Sequence, residues 1–260
     1  MNPWYSLENK TIWVTGGAGY FGGAITKELD PLCRKVICLD RPGRAEAFVA
    51  EEKLTRTIPV SQDLADVAVI PGLVEKLVAA HGVPDGLVNL TFASFGAGKG
   101  LAELPLTDFQ KTVNDGVAPT FLLCRELAER MRPRGSGSFV IYASMYGVVA
   151  PNPKNYPAPM APNSIDYGAS KAALLQMSRY FAVHYGPAGL RFNCLTPGAF
   201  PHPPLVAAEP EFIARLSASA PLGRIGRRNE MVGPSPFLLS DGASYVTGHN
   251  LVVDGGWTAW

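Results

Sequence analysis

Tyr167 and Lys171 stand four residues apart in the run Asp166-Tyr-Gly-Ala-Ser-Lys171. On a helix that spacing puts a phenol and an ammonium on one face. A free tyrosine ionises near pH ~10, too high for a base near neutrality. A fixed positive charge within reach favours the phenolate and lowers that value. Such a pair can move a proton to or from an alcohol or a ketone. Tyr-x-x-x-Lys also describes an ordinary amphipathic helix, so its weight depends on what surrounds it.

A second chemical feature lies near the start of the chain. Thr11 to Thr15 is a short β-rich run that reads as a buried strand. It leads directly into Gly16-Gly17-Ala18-Gly19-Tyr20-Phe21-Gly22-Gly23. Within it, Gly17-x-Gly19-x-x-Gly22 has dinucleotide-binding spacing: the glycines allow a tight turn and let backbone N–H groups approach a pyrophosphate. Gly16, Gly19, Tyr20, Phe21 and Gly22 are the candidate cofactor contacts here. Ala24 to Leu29 reads as the start of a helix aimed at that anion, stopped by Pro31. A second strand, Lys35 to Asp40, ends in an acid 18 residues past Gly22, close to the roughly 20 expected for a ribose-binding carboxylate.

Strand-like and helix-like runs alternate onward. Thr57 to Val60, Gly86 to Thr91, Ser138 to Ser144, Arg191 to Leu195 and Asn250 to Val253 read as strands. Val67 to Ala80, Thr107 to Met131 and Tyr167 to Tyr185 read as helices, the second with a kink near Gly116 and Pro119. This alternation predicts an α/β chain with a seven-stranded parallel sheet covered by helices on both faces, a Rossmann fold in a single domain over residues 1–260. Two segments break the pattern. Residues 149–163 carry five of the 23 prolines, and 201–210 carry four more. Both follow strands at the carboxyl edge of the sheet, where doubly wound folds place ligands. We read them as substrate-loop insertions near 149–166 and 199–218.

Bulk properties exclude other classes. Charged residues are 17% of the 260 and the formal net charge is +1, which gives no basic field for nucleic acid. No apolar run reaches the ~18 residues of a transmembrane helix, and residues 1–10 hold no apolar signal core. Cys33, Cys38, Cys124 and Cys194 are scattered, as are the four histidines, so free thiols, no bound metal and a cytoplasmic setting are expected.

The chain resembles the short-chain dehydrogenase/reductase family, in its shorter, single-domain branch, over about residues 9–257. The motifs that carry the likeness run in order: Thr15-Gly16-x-x-Gly19-x-x-Gly22, Asp40, Asp63, Asn89, Asn114, Ser144, Tyr167-x-x-x-Lys171, Asn193, Pro197-Gly198 and Val253-Asp254-Gly255-Gly256. The resemblance implies a nicotinamide-dependent oxidoreductase. Tyr167 is then the general acid/base. Lys171 lowers its pKa and holds the nicotinamide ribose. Ser144 bonds the substrate oxygen, and Asn114 holds a water that links Lys171 to solvent. Asp63 and Leu64 fall at the adenine, Asn89 beneath the cofactor, and Pro197 and Gly198 along the nicotinamide. Asp40 accepts from both ribose hydroxyls and repels a 2′-phosphate, favouring NAD over NADP, although Arg41 and Arg44 can offset the repulsion. The family also implies a homodimer or homotetramer.

Departures from the family pattern bear on the substrate. Tyr20 stands where the shorter branch has glycine. The fourth-strand Asn-Asn-Ala-Gly is here Asn89-Leu-Thr-Phe92, which brings a bulky ring towards the pocket. The stretch between Ser144 and Tyr167 is lengthened, and Gly233-Pro-Ser-Pro236 falls where a regular helix is expected. Ser144-Met-Tyr-Gly147 and the Pro/Asn insert look similar to reductases of bacterial surface-sugar, nonulosonic-acid-type pathways. The expected reaction interconverts a secondary alcohol and a ketone on a polar, carbohydrate-like small molecule. The rivals are an NADPH-dependent 3-oxoacyl-thioester reductase and a non-catalytic NAD-sensing protein.

Overall fold

Seven parallel strands form one sheet in the order β3-β2-β1-β4-β5-β6-β7 in the computed structural model, which describes residues 2–260. They are β1 (Thr11–Thr15), β2 (Lys35–Asp40), β3 (Thr57–Ser61), β4 (Gly86–Asn89), β5 (Gly137–Tyr142), β6 (Leu190–Pro197) and β7 (Asn250–Val253). The helices are α1 (Tyr20–Leu32), α2 (Arg44–Glu51), α3 (Ile70–His81), α4 (Leu106–Gly116), α5 (Ala118–Met131), α6 (Ile165–Tyr185), α7 (Pro203–Ala208), α8 (Pro210–Ser219) and α9 (Pro234–Leu239).

The strands read as near-continuous apolar runs because both faces are covered. Every residue of β1 is buried, and its side chains alternate between two cores. Trp13 points to the layer of Leu87, Leu123, Leu127, Phe139 and Phe192, where Phe139 and Phe192 stack with centroids 4.0 Å apart. Ile12 and Val14 point to the opposite layer, with Ile25, Leu29, Val140, Leu195 and Leu238. The sheet reverses direction of growth between β1 and β4, which pair in parallel with Val14 opposite Val88. A crevice opens there, beyond the strands' carboxyl ends.

Several sequence expectations are corrected. Helix α1 begins at Tyr20 and runs through Pro31 to Leu32. Pro31 sits exposed in the last turn, where its missing N–H removes one hydrogen bond near the helix end and does not break the ladder before it. The predicted kink is a break: α4 ends at Gly116 and α5 restarts at Ala118, because Pro119 has no N–H to continue the ladder. Strand β4 stops at Asn89 rather than Thr91. The proline-rich 201–210 segment is largely helical, with prolines in the first turns of α7 and α8, where a missing N–H costs nothing. The expected distortion near residue 234 is seen, as α9 spans only Pro234–Leu239. Among the described residues no helix is long and apolar enough to cross a membrane.

Candidate active site

The crevice is a cavity of about 1560 Å3. At its floor the chain turns sharply from β1 into α1. Gly16 adopts φ +65°, and a Cβ on Gly22 would lie 2.0 Å from the Gly16 carbonyl oxygen; only glycine fits so close a turn. Gly19 is the N-cap of α1 and offers no side-chain cap, so the first N–H groups of the helix remain open to an anion. Gly16, Gly19, Tyr20, Phe21 and Gly22 all line the cavity, as do Asp40, Asp63, Leu64, Pro197 and Gly198. The Asp40 carboxylate, 7% exposed, accepts from the backbone N–H of Ala18 (3.0 Å) and of Arg41 (2.8 Å), with the Arg44 guanidinium 3.7 Å away. A narrow turn, an uncapped helix start and a carboxylate at the end of β2 fit the phosphates and ribose of a dinucleotide.

Asn89 is buried, and its side chain is spent on structure. Its Oδ1 accepts from Thr15 Oγ1 at 2.6 Å and its amide donates to Thr120 Oγ1 at 2.8 Å. It braces β1 against α5 and does not line the cavity.

At the other end of the cavity the proton-moving groups converge. Ser144 caps the end of β5, its hydroxyl accepting from the Tyr146 N–H at 3.2 Å. Tyr167 and Lys171 lie on one face of α6, and all three line the cavity. Lys171 Nζ donates to the Tyr142 carbonyl at 3.0 Å. Burial pulls the Lys171 ammonium down to about 7. Burial also raises the Tyr167 phenol, with the Ser144 hydroxyl pulling the other way and Tyr156 adding to the rise. Asn114 is not with them: it is exposed on α4 and does not line the cavity. The inward residues of that helix are Thr112 and Gly116, and Asn114 falls between them on another face.

The wall facing Tyr167 comes from the turn after β5 and from the two segments read as substrate loops, although the sequence did not rank their individual side chains. Tyr146 and Tyr156 share a hydroxyl–hydroxyl bond of 2.8 Å. Both line the cavity beside Pro159, Met160, Phe212 and Leu216. The 149–163 segment is tied to α8 by the Arg215 guanidinium on the Lys154 carbonyl (2.8 Å) and the Ser219 hydroxyl on Asn155 Oδ1 (3.0 Å). Opposite, Tyr20 reaches across to the loop after β6, its ring centroid 4.2 Å from that of His202. Lys171 apart, the cavity's charged residues lie away from this wall. Asp40, Arg41, Arg44 and Asp63 follow β2 and β3, and Lys111 pairs with Asp115 at 2.5 Å.

A fold of this order with a glycine turn, a strand-end serine and a Tyr/Lys pair at one crevice defines a nicotinamide-dependent oxidoreductase acting on CH–OH groups. Residues 21–258 match the family model described as enoyl-(acyl carrier protein) reductase. The chain is 34% identical over 257 residues to the 2,5-dichloro-2,5-cyclohexadiene-1,4-diol dehydrogenase of Sphingobium indicum, covering 97% of this chain and 98% of that one. It is 30% identical to the L-rhamnose 1-dehydrogenase (NAD(P)(+)) of Azotobacter vinelandii, covering 96% and 97%. A short-chain dehydrogenase of Leptospira borgpetersenii with bound NAD+ superposes with a TM-score of 0.82 at 28% identity, covering 99% and 96%. The chain belongs to the short-chain dehydrogenase/reductase family.

Proposed function

We propose that this enzyme interconverts a secondary alcohol and its ketone on an uncharged, hydroxyl-bearing ring, with NAD as the preferred cofactor. The convergence of Ser144, Tyr167 and Lys171 on the cavity that begins at the glycine turn carries the reading. The bound nicotinamide supplies the hydride acceptor or donor. The chain's own groups handle the proton. Tyr167 gives its hydroxyl proton to the carbonyl oxygen, or takes one from the alcohol. The Ser144 hydroxyl donates to the same oxygen and fixes it. Lys171, when charged, favours the Tyr167 phenolate.

The substrate class follows from the wall. Tyr146, Tyr156, Met160, Phe212 and Leu216 offer apolar surface, two phenols and no charge, which suits a ring carrying a further hydroxyl and does not suit a carboxylate. A cyclic diol dehydrogenase and a sugar dehydrogenase among the relatives support this class. Neither is by its name an enzyme of surface-sugar pathways, and that finer likeness is set aside. Segments 149–166 and 199–218 act as the substrate loops. The Asp40 carboxylate favours an unphosphorylated ribose. Exposed Phe121, Tyr180 and Val183 on α5 and α6 supply an apolar face for a homodimer or homotetramer.

The test is absorbance at the reduced-nicotinamide band, with NAD(H) and NADP(H), across cyclic diols, sugars, keto acids and acyl thioesters. Tyr167→Phe is expected to lower turnover about 100-fold or more while the protein still binds NADH. Undiminished turnover in that variant overturns the assignment.

A further inference from the structure

We infer that Phe92 is a positioning residue for the acid–base pair: its ring face holds Lys171 in the ammonium form. This rests on the reading of Tyr167 and Lys171 as that pair. Lys171 Nζ sits 3.9 Å from the centroid of the Phe92 ring, well inside the ~6 Å over which a ring quadrupole attracts a cation. The edge of one aromatic also meets the face of the other in the Phe92–Tyr167 pair, with centroids 5.4 Å apart and planes at 88°. One side chain therefore touches both members of the pair.

The backbone makes room for it. A Cβ on Gly116 would lie 2.7 Å from Phe92 Cε2 and 3.0 Å from the Ala93 carbonyl oxygen. A side chain at 116 and a ring at 92 exclude one another, and the sequence has chosen the ring.

Among the described residues no carboxylate pairs with the Lys171 ammonium, whose hydrogen bond goes to a backbone carbonyl. Tyr167 faces it from α6, the Tyr142 carbonyl from β5 and the Cys194 thiol from β6. Burial pushes Cys194 up to about 12, so it is a neutral thiol at working pH. On α4, Lys111 and Asp115 line the cavity but are paired with each other. Lys171 is 5% exposed, and burial works against its charge. Within this set the ammonium is favoured by the single carbonyl and by two ring faces, of which Phe92 at 3.9 Å is much nearer than Tyr167 at 5.8 Å. The charge that makes Tyr167 a usable acid and base is thus kept by the Phe92 ring face and the Tyr142 carbonyl rather than by an ion pair.

The test reads Lys171 directly, on the full-length protein without added cofactor. With 13C-ε-labelled lysine, the Lys171 signal is the one lost in Lys171→Met, and its midpoint is followed by NMR over pH. Phe92→Leu keeps an apolar group and removes the quadrupole; the midpoint is expected to fall by about 0.5–1.5 pH units. Replacing Phe92 with a trifluorinated phenylalanine, which weakens the negative ring face at nearly constant shape, is expected to give a fall in the same direction. A folded Phe92→Leu protein with an unchanged midpoint overturns the inference. So does a wild-type midpoint in the fluorinated protein, which decides alone if Phe92→Leu does not fold. These outcomes are independent of turnover, whereas the acid–base assignment itself stands or falls on Tyr167→Phe.

Discussion

Thr112 donates its hydroxyl to the Asp166 carboxylate at 2.5 Å, with both side chains fully buried. Thr112 belongs to α4, and Asp166 lies in the first turn of α6, directly before Tyr167. The same carboxylate oxygen accepts from the Gly96 N–H and the Ser94 hydroxyl, each at 3.1 Å. One acid therefore ties the irregular segment after β4, and α4 beneath it, to the helix that presents the phenol. A negative charge in a helix's first turn is also favoured by the helix dipole.

Removing that acid should loosen the whole corner. Asp166→Ala leaves the Gly96 N–H and the Thr112 hydroxyl without this partner, at about 1–3 kcal/mol each, so a loss of roughly 2–6 kcal/mol is expected by urea unfolding at pH 7. Burial raises the Asp166 carboxyl, but Ser164, Thr112, Gly96 and Ser94 together more than offset it and hold it below the usual range. A depressed folded value adds stability above the unfolded value of about 3.9, which is lost as pH falls through the folded value. The gap between wild type and Asp166→Ala should accordingly narrow in unfolding curves below pH ~4. A gap that widened on acidification would contradict the ionised state assigned to this group.

The proposed preference for NAD should depend on another buried acid. Asp40 is oriented by the Ala18 and Arg41 N–H groups, and Arg44 waits 3.7 Å away. Asp40→Ser removes the carboxylate acceptor and leaves both guanidinium groups in place. KM for NAD should rise about 10- to 150-fold, in line with ~1.5–3 kcal/mol for hydrogen bonds to a charged group. KM for NADP should fall, since the repulsion of a 2′-phosphate is gone. Steady-state kinetics with both cofactors check this, and an unchanged ratio of the two KM values would place the ribose elsewhere.

The parts of this site that could be read in the sequence are those fixed by local backbone chemistry. Gly16 and Gly22 announce a turn that no other residue permits, the strand before them is mostly apolar, and Tyr167 and Lys171 share a helix face whatever the tertiary structure. What could not be read depends on residues far apart in the chain. Asn114 has the right type and neighbourhood, yet two residues decide which side of α4 faces in, and the break at Val117 sets that phase. Phe92 signals its bulk in the sequence, but the glycine that accommodates it is 24 positions away. The Tyr146–Tyr156 bond joins a strand-end turn to the inserted segment, and nothing in the spacing of either residue foretells it. The helices α7 and α8 were hidden because proline signals a loop unless it falls in a first turn.

The phenol pair should decide which alcohols are accepted. Burial, then the neighbouring Tyr156 and Tyr167, push the Tyr146 phenol up, so it remains a neutral donor throughout the working range. On a cyclic diol, Tyr146→Phe and Tyr156→Phe should each lower kcat/KM about 10- to 100-fold, the cost of ~1–3 kcal/mol for an unpaired polar group in a closed site. On cyclohexanol, which has no second oxygen, the same variants should act much as wild type does. Equal losses on both substrates would show that the pair shapes the pocket without reading a hydroxyl.

The last expectation concerns the packing that makes Phe92 possible. Glycine in a helix costs about 0.5–1 kcal/mol relative to alanine, so Gly116→Ala ought to stabilise α4 on propensity alone. The added Cβ, however, would stand 2.7 Å from Phe92 Cε2, and overpacking of this kind costs typically ~1–3 kcal/mol. The clash is the larger effect, and a net loss of about 0.5–2 kcal/mol is expected. In a Phe92→Leu background the ring edge is gone, the propensity gain remains, and only the Ala93 carbonyl oxygen still crowds the added Cβ, at 3.0 Å, so Gly116→Ala should cost clearly less. That difference is a coupling of roughly 1 kcal/mol between residues in contact, measurable by urea unfolding of the two single variants and the double. If Gly116→Ala proved equally costly in both backgrounds, the ring would not be packed against α4, and the seat it offers Lys171 would have to be redrawn.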